Sequence, residues 1–494
     1  MSTGSSADSS SIIRGLTPPA RQPLMSTGSS AGSSASSSSP QLAGRLAQYA
    51  EQLKFSDLDA STVHEVCRRL IDSLGCACGA YQSGAVQVAR RVAQRTRGEP
   101  GAGYLGGSHP SSPELAAFVN GVAFRYLDCN DTYLSLEPAH PSDNFAAVLA
   151  AAETAGGGGR DVITAAVVAY EIQCRLCDAA SIRARGWDHV TYGAFSTAAA
   201  AAKLLGLDVE GITQALNLAG TPNVTLRQTR AGELSEWKGC AFANASRNGV
   251  FAALLAAEGL TGPAPVFEGE LGFFKQVSGP FELPAFGGEG GSADFMIKRT
   301  SIKFWPAEYH SQSAIHAALE LRSQIGDVRR IKSLDIYSFD AAVDIIGKDP
   351  EKWRPKTRET ADHSLPYCTA VALLDGDVTL DSFSPQRLSD PVVLDLTSRI
   401  RVLRDPELTR RYPHGIPNRL VATLDDGSQV TAENEFPRGH DQNPMTDGEV
   451  MEKFRKLANG VLSAAAQDRV LNLCWQLPQL GSVADLWREF PTVG

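Results

Sequence analysis

The chain has 494 residues, 43% of them hydrophobic and 20% charged, with 46 Lys and Arg against 55 Asp and Glu for a net charge of −9. That length sets two structural domains as the expectation, and the acidic balance argues against nucleic acid as a partner. No apolar run reaches the length of a membrane span, which reads as a soluble protein that does not engage a membrane.

Residues 1–40 are rich in Ser, Gly, Ala and Pro, a composition that predicts a disordered tail. "MSTGSSA" stands at Met1 and again at Met25, either a small duplication or a second start. With Arg14, Arg21 and the single acid Asp8, the stretch faintly resembles an organelle transit peptide. It lacks an amphipathic Arg helix, so the expectation is a plain tail on a cytoplasmic protein, with a mitochondrial location if the tail is a transit peptide.

From about residue 41 the pattern turns helical. Val63, Val66, Leu70 and Leu74 recur at helical spacing, and further helices fit 112–127, 144–155, 160–180, 194–205, 209–219 and 239–258. Their Ala and Gly content lets helices approach closely and predicts a large all-α core. A Gly/Pro-rich passage near 265–300 marks a change. Beyond it "IKSLDIYSF" alternates like a strand, "NRLVATLDDGSQVTAE" reads as a hairpin about Asp426-Gly427, and a helix fits 311–324. The fold class expected is mainly α with α+β: a helical domain over 41–295, a smaller α+β lid over 296–436, and C-terminal helices over 437–494 that return to the helical domain.

Nine scattered cysteines suit reduced, mostly buried thiols. Cys174 and Cys177 form a CxxC on one face of a helix, where small core residues are a better account than a metal or redox site. Glycine-rich nucleotide loops, HExxH and GxSxG are all missing from the sequence.

What stands out instead is a set of polar islands. "RYLDCNDTYLSLEPAHPSDN" crowds Asp128, Asn130, Asp131, Thr132, Glu137, His140, Asp143 and Asn144 between two apolar helical patterns. "GWDHV" places Asp188 and His189 before an Ala-rich helix; "EWKGCAFANASRNG" carries Lys238 and Arg247. "IKFWPAEYHSQ" gathers Lys303, Glu308, Tyr309 and His310, and "KTRETADHSLPY" holds Arg358, Asp362 and His363. His189 also fits a capping or core histidine, and Lys238 an ordinary surface lysine at a helix end; His64 and His316 receive no role. A set of His, Asp, Lys, Arg and Tyr without metal or cofactor suits proton abstraction beside a carboxylate. Lys238, Lys303 and Arg247 would supply positive charge, His140, His189 and Asp128 proton transfer, and Tyr309 and His310 would complete the site from the lid.

These islands, in this order from about 40 to 494, resemble the MmgE/PrpD family, which includes 2-methylcitrate dehydratases and cis-aconitate decarboxylases. The resemblance implies an all-helical domain interrupted by an α+β lid, a cleft active site, a homodimer, and catalysis without metal or cofactor. Carried over by motif, its Asp and Thr fall on Asp128 and Thr132, its histidines on His140 and His189, and its lysines on Lys238 and Lys303. "NDT" stands for the decarboxylases' "DDT", and Thr132 and His140 are eight apart, a longer link than in that branch; both follow the dehydratase pattern. The expectation is therefore a hydro-lyase dehydrating a small tricarboxylate, 2-methylcitrate. The alternatives are a cis-aconitate decarboxylase forming itaconate, a related carboxylate lyase or isomerase, and a catalytically idle carboxylate-binding protein.

Overall fold

The computed structural model describes residues 41–232 and 234–492, and the expectations for the tail, its start and its targeting lie outside them. A helical body is built first: α1 (Leu42–Gln52), α2 (Ala60–Gly79), α3 (Gly84–Ala93), α4 (Pro113–Arg125), α5 (Phe145–Thr154), α6 (Gly159–Ala179), α7 (Thr191–Leu204), α8 (Val209–Gly220) and α9 (Trp237–Ala257). Each helix expected between 112 and 258 is present to within a few residues. Helix starts follow local chemistry: Asp59 accepts from Thr62 N at 2.9 Å at the head of α2, and Asp208 from Gly211 N at 2.8 Å at α8.

Close packing of α4, α7 and α9 depends on small residues. A Cβ on Gly121 of α4 would lie 2.9 Å from the Cα of Ala243 on α9, and one on Gly193 of α7 would lie 2.5 Å from the Phe242 ring. The alanines of α7, Ala198 to Ala202, are fully buried. Ridge-into-groove contact at this separation leaves no room for larger side chains.

A second hydrophobic core, from Trp305 to Ala432, surrounds a four-stranded sheet. α10 (Gln312–Ile325) and α11 (Leu365–Asp375) pack together within it. The strands are β1 (Ile331–Ser338), β2 (Ile400–Arg404), β3 (Asn418–Leu424) and β4 (Gln429–Asn434), in the order β2-β1-β3-β4. β1 is antiparallel to β3 and parallel to β2, and β3–β4 is the hairpin read from Asp426-Gly427, with Gly427 at φ 83°. β2 was not read from the sequence: "IRVLR" is a half-exposed edge strand whose charges interrupt its alternation.

The chain then rejoins the first core through α12 (Asp447–Ala458), which packs on α2, and α13 (Ala464–Trp475). The architecture is thus a helical body with a smaller α+β part inserted in the chain. All nine cysteines are buried free thiols, Cys174 and Cys177 among them on α6. No helix among the described residues is long and apolar enough to cross a membrane.

Candidate active site

The crowded segment after α4 divides into scaffold and site. Asp131 Oδ1 accepts from Ser142 N at 2.9 Å and its Oδ2 from Tyr170 Oη at 2.7 Å. Asn130 donates to Asp143 at 2.7 Å, Asn144 donates to Gln173 at 2.6 Å, and Glu137 Oε1 accepts from Ser181, Ile182 and Arg183. These buried groups satisfy one another and fix the loop. The loop is tied in turn to the Lys303 segment, since Thr132 and Ser301 exchange backbone hydrogen bonds at 2.7 and 2.8 Å.

Three residues of the segment, Asp128, Thr132 and His140, instead line a cavity of about 300 Å³. Asp128 is the one non-glycine residue with positive φ (52°) among those described, a conformation Asp tolerates better than most. That turn aims its carboxylate into a cluster of cations. Lys303 Nζ lies 2.6 Å from Oδ1, Arg125 bonds the same oxygen, and Lys238 Nζ and His363 Nε2 each lie 3.2 Å from Oδ2. Burial works against the carboxylate charge, but Arg125, Lys238 and Lys303 together outweigh it and hold the pKa well below the usual range.

His363 bridges to a second carboxylate, Nδ1 lying 2.6 Å from Asp362 Oδ1. Burial and then Lys238 push its pKa down, while Asp362 and Asp128 pull it up. Lys238 also reaches Asp362 at 3.6 Å. Asp128, Asp362 and His363 present ligand atoms within 4.8 Å of one another, a spacing that would suit a divalent cation. The electrostatics do not fit one: Arg125, Lys238, Lys303 and Arg358 already set four positive charges against those two carboxylates.

His140 donates through Nδ1 to the Asp131 carbonyl at 2.7 Å, with Thr132 Oγ1 at 3.0 Å, which leaves Nε2 as the lone-pair nitrogen of the neutral ring. Burial, then Arg125 and Lys303, push its pKa well down. His189 lies ring to ring with it, centroids 5.9 Å apart, and neither of its nitrogens has a hydrogen-bond partner among the described residues. Burial pushes His189 down to about 3 despite Asp188 at 3.3 Å, whose charge is shared with Arg230 at 2.9 Å and Arg227 at 3.5 Å. Tyr309 and His310 line the cavity from the segment that opens the second core. His310 Nδ1 is paired with Glu308 at 2.7 Å, and the pair holds Glu308 at about 2 against the effect of burial.

Lys238, at the start of α9, is 1% exposed, so the surface-lysine account fails for it. Arg247 needs a correction: it is exposed, bonded only to its neighbour Asn248, and absent from the cavity. It stands nine positions after Lys238, and at about 100° per residue that places the two on opposite faces of α9. Arg125, Arg227 and Arg230 are cavity residues that sequence reasoning passed over, and Asp362 and His363 were noted but not assigned a place.

The sequence matches the MmgE/PrpD N-terminal domain over residues 44–285 and the MmgE/PrpD C-terminal domain over 305–477, and the chain belongs to that family. It is 32% identical over 396 residues to a 2-methylcitrate dehydratase of Cupriavidus necator, covering 75% of this chain and 80% of that protein. A probable 2-methylcitrate dehydratase of Saccharomyces cerevisiae is 29% identical over 421 residues, 80% of this chain and 81% of its own. A cis-aconitate decarboxylase-like protein of Aspergillus oryzae, oryM, is 28% identical over 473 residues, 90% and 96% of the two chains.

Proposed function

We propose that the chain is a hydro-lyase that dehydrates 2-methylcitrate to 2-methyl-cis-aconitate, a step of propionate breakdown, acting as a metal-independent cytoplasmic homodimer. The observation that carries this reading is the Asp128 carboxylate held among Arg125, Lys238, Lys303 and His363 on the wall of a cavity shared with two neutral imidazoles. Loss of water begins with a proton leaving carbon beside a carboxylate, a weak acid until cations neutralise the developing enolate. Lys238 and Lys303 are placed to do that. A carboxylate as stabilised as Asp128 is a poor base, so its part is to hold those cations. His140 Nε2 or His189 takes the carbon proton. His363, with a carboxylate on each nitrogen, delivers a proton to the departing hydroxyl. Leu134, Leu234 and Ile345 give the cavity an apolar stretch suited to the substrate methyl group.

A second reading, decarboxylation of cis-aconitate to itaconate, is favoured by the Aspergillus oryzae relative, which matches over almost its whole length. The two are separated by proton NMR of chelator-treated protein given 2-methylcitrate in one tube and cis-aconitate in another. A methyl-substituted alkene in the first supports the dehydratase, while itaconate in the second replaces it with the decarboxylase. Light scattering on the purified chain tests the dimer.

A further inference from the structure

Six Lys or Arg side chains line the cavity, and five of them already have a carboxylate partner. Arg125 and Lys303 hold Asp128, Arg227 and Arg230 hold Asp188, and Lys348 lies 3.2 Å from Asp344. The sixth is Lys352, 5% exposed, whose ammonium makes no ion pair and no hydrogen bond among the described residues. A buried, unpaired ammonium is costly, and a fold tolerates one where a ligand completes the pair.

Its backbone is not free to drift. Lys352 sits in the short turn Pro350–Trp353; its N–H donates to Asp349 O at 2.9 Å, and its carbonyl accepts from Ser364 Oγ. Ser364 follows His363 directly and caps α11 by accepting from Tyr367 N at 3.1 Å. Trp353 Nε1 anchors the next position to Ile400 O at 2.9 Å. The lysine stem is therefore held beside the His363 stretch, on the side of the cavity supplied by the second core, away from the Asp128 cluster.

We propose that Lys352 is the residue that receives a substrate carboxylate and sets the preference of the site for a tricarboxylate over a dicarboxylate. This rests on the carboxylate-lyase reading above. Lys238 and Lys303 are each divided between Asp128 and the substrate; Lys352 alone offers its whole charge. The ligand carboxylate turns an unpaired buried charge into a charge-assisted hydrogen bond, and that gain falls only on ligands long enough to reach it.

The test uses the full chain and tricarballylate, a tricarboxylate with no hydroxyl to lose, with succinate for comparison, both followed by calorimetry. In Lys352→Met the Kd for tricarballylate should rise about 30-fold, the free-energy equivalent of one charge-assisted hydrogen bond, with succinate little affected. Lys352→Arg should recover most of the loss, and in turnover the loss should fall in KM more than in kcat. Without ligand, the Met variant should melt no lower than wild type, since an unpaired buried charge has been removed, and that keeps a folding defect distinguishable. Equal binding of tricarballylate by wild type and Lys352→Met overturns the role of Lys352 alone. A wild-type protein that binds no tricarballylate overturns both this role and the lyase reading beneath it.

Discussion

Asp128 joins a backbone turn to a charge cluster, and the two roles separate experimentally. Asn tolerates the same positive φ but carries no charge, so Asp128→Asn tests the cluster alone. Arg125, Lys238 and Lys303 would be left buried without their shared anion. The expected cost is about 3–5 kcal/mol in denaturant unfolding, with turnover lost as well. Its depressed pKa contributes stability that is present above about pH 4, the unfolded-state value, and lost as pH falls toward the folded one. The histidines act higher on the scale. His189 is held neutral down to about 3, whereas the unfolded chain protonates it near 6.5. Between those values the unfolded state binds the extra proton, so stability falls as pH falls, by at most about 1.4 kcal/mol per pH unit. His189→Gln should flatten the acid limb of a stability-versus-pH curve by one proton while leaving the plateau above pH 7 in place; an unchanged limb would remove the neutral-imidazole assignment. His140→Ala should abolish dehydration with the melting temperature nearly kept, because only its Nδ1 contacts to Asp131 O and Thr132 are lost.

At the level of elements, the helix–helix contacts behind the site leave little tolerance. A Cβ on Gly249 of α9 would lie 2.0 Å from Thr197 Oγ1 and 2.8 Å from Ala198 N on α7. Gly249→Ala improves local helix propensity but forces the two helices apart, so the net effect expected is a loss of about 1–3 kcal/mol, read from the urea midpoint. A more stable variant would mean that α7 and α9 can separate freely. The sequence carried most of these elements openly. Period-3.6 patterns marked the helices, and Asp426-Gly427 marked the hairpin, because those signals are local. β2 stayed hidden because an edge strand needs only one buried face, and here only Ile400 is fully covered. The site was legible where polar groups interrupted apolar patterns, as around Asp128 and His140. Arg125, Arg230 and Lys352 were not, since a basic residue at a helix end or in a loop looks the same whether tertiary packing later buries it or leaves it in water. Arg247 shows the converse: its helical phase relative to Lys238 alone was enough to exclude it.

Across the whole molecule, Lys453 of α12 joins three distant stretches of chain. Its Nζ lies 2.6 Å from Asp72 Oδ1 on α2, and it donates to the carbonyls of Cys129 at 2.6 Å and Lys303 at 2.7 Å. Burial opposes its charge, but the Asp72 carboxylate outweighs that and holds the pKa above the ordinary lysine value. The returning C-terminal helix thereby fixes the backbone beside both Asp128 and Lys303, from behind the cavity. Lys453→Met leaves Asp72 as a buried, unpaired carboxylate and should cost about 3–5 kcal/mol. Asp72→Asn alone leaves the ammonium two carbonyl partners and should cost less. In the double variant Asp72→Asn/Lys453→Met no charge is stranded, so its loss should fall well below the sum of the two singles, a coupling measurable in a double-mutant cycle. Stability and activity should then part company: the double variant regains stability but not full turnover, because the carbonyls of Cys129 and Lys303 still lack the tie that sets Lys303 against Asp128. Recovery of both together would mean that Lys453 contributes only charge balance to the fold, and that the Asp128–Lys303 geometry is held from the loops themselves.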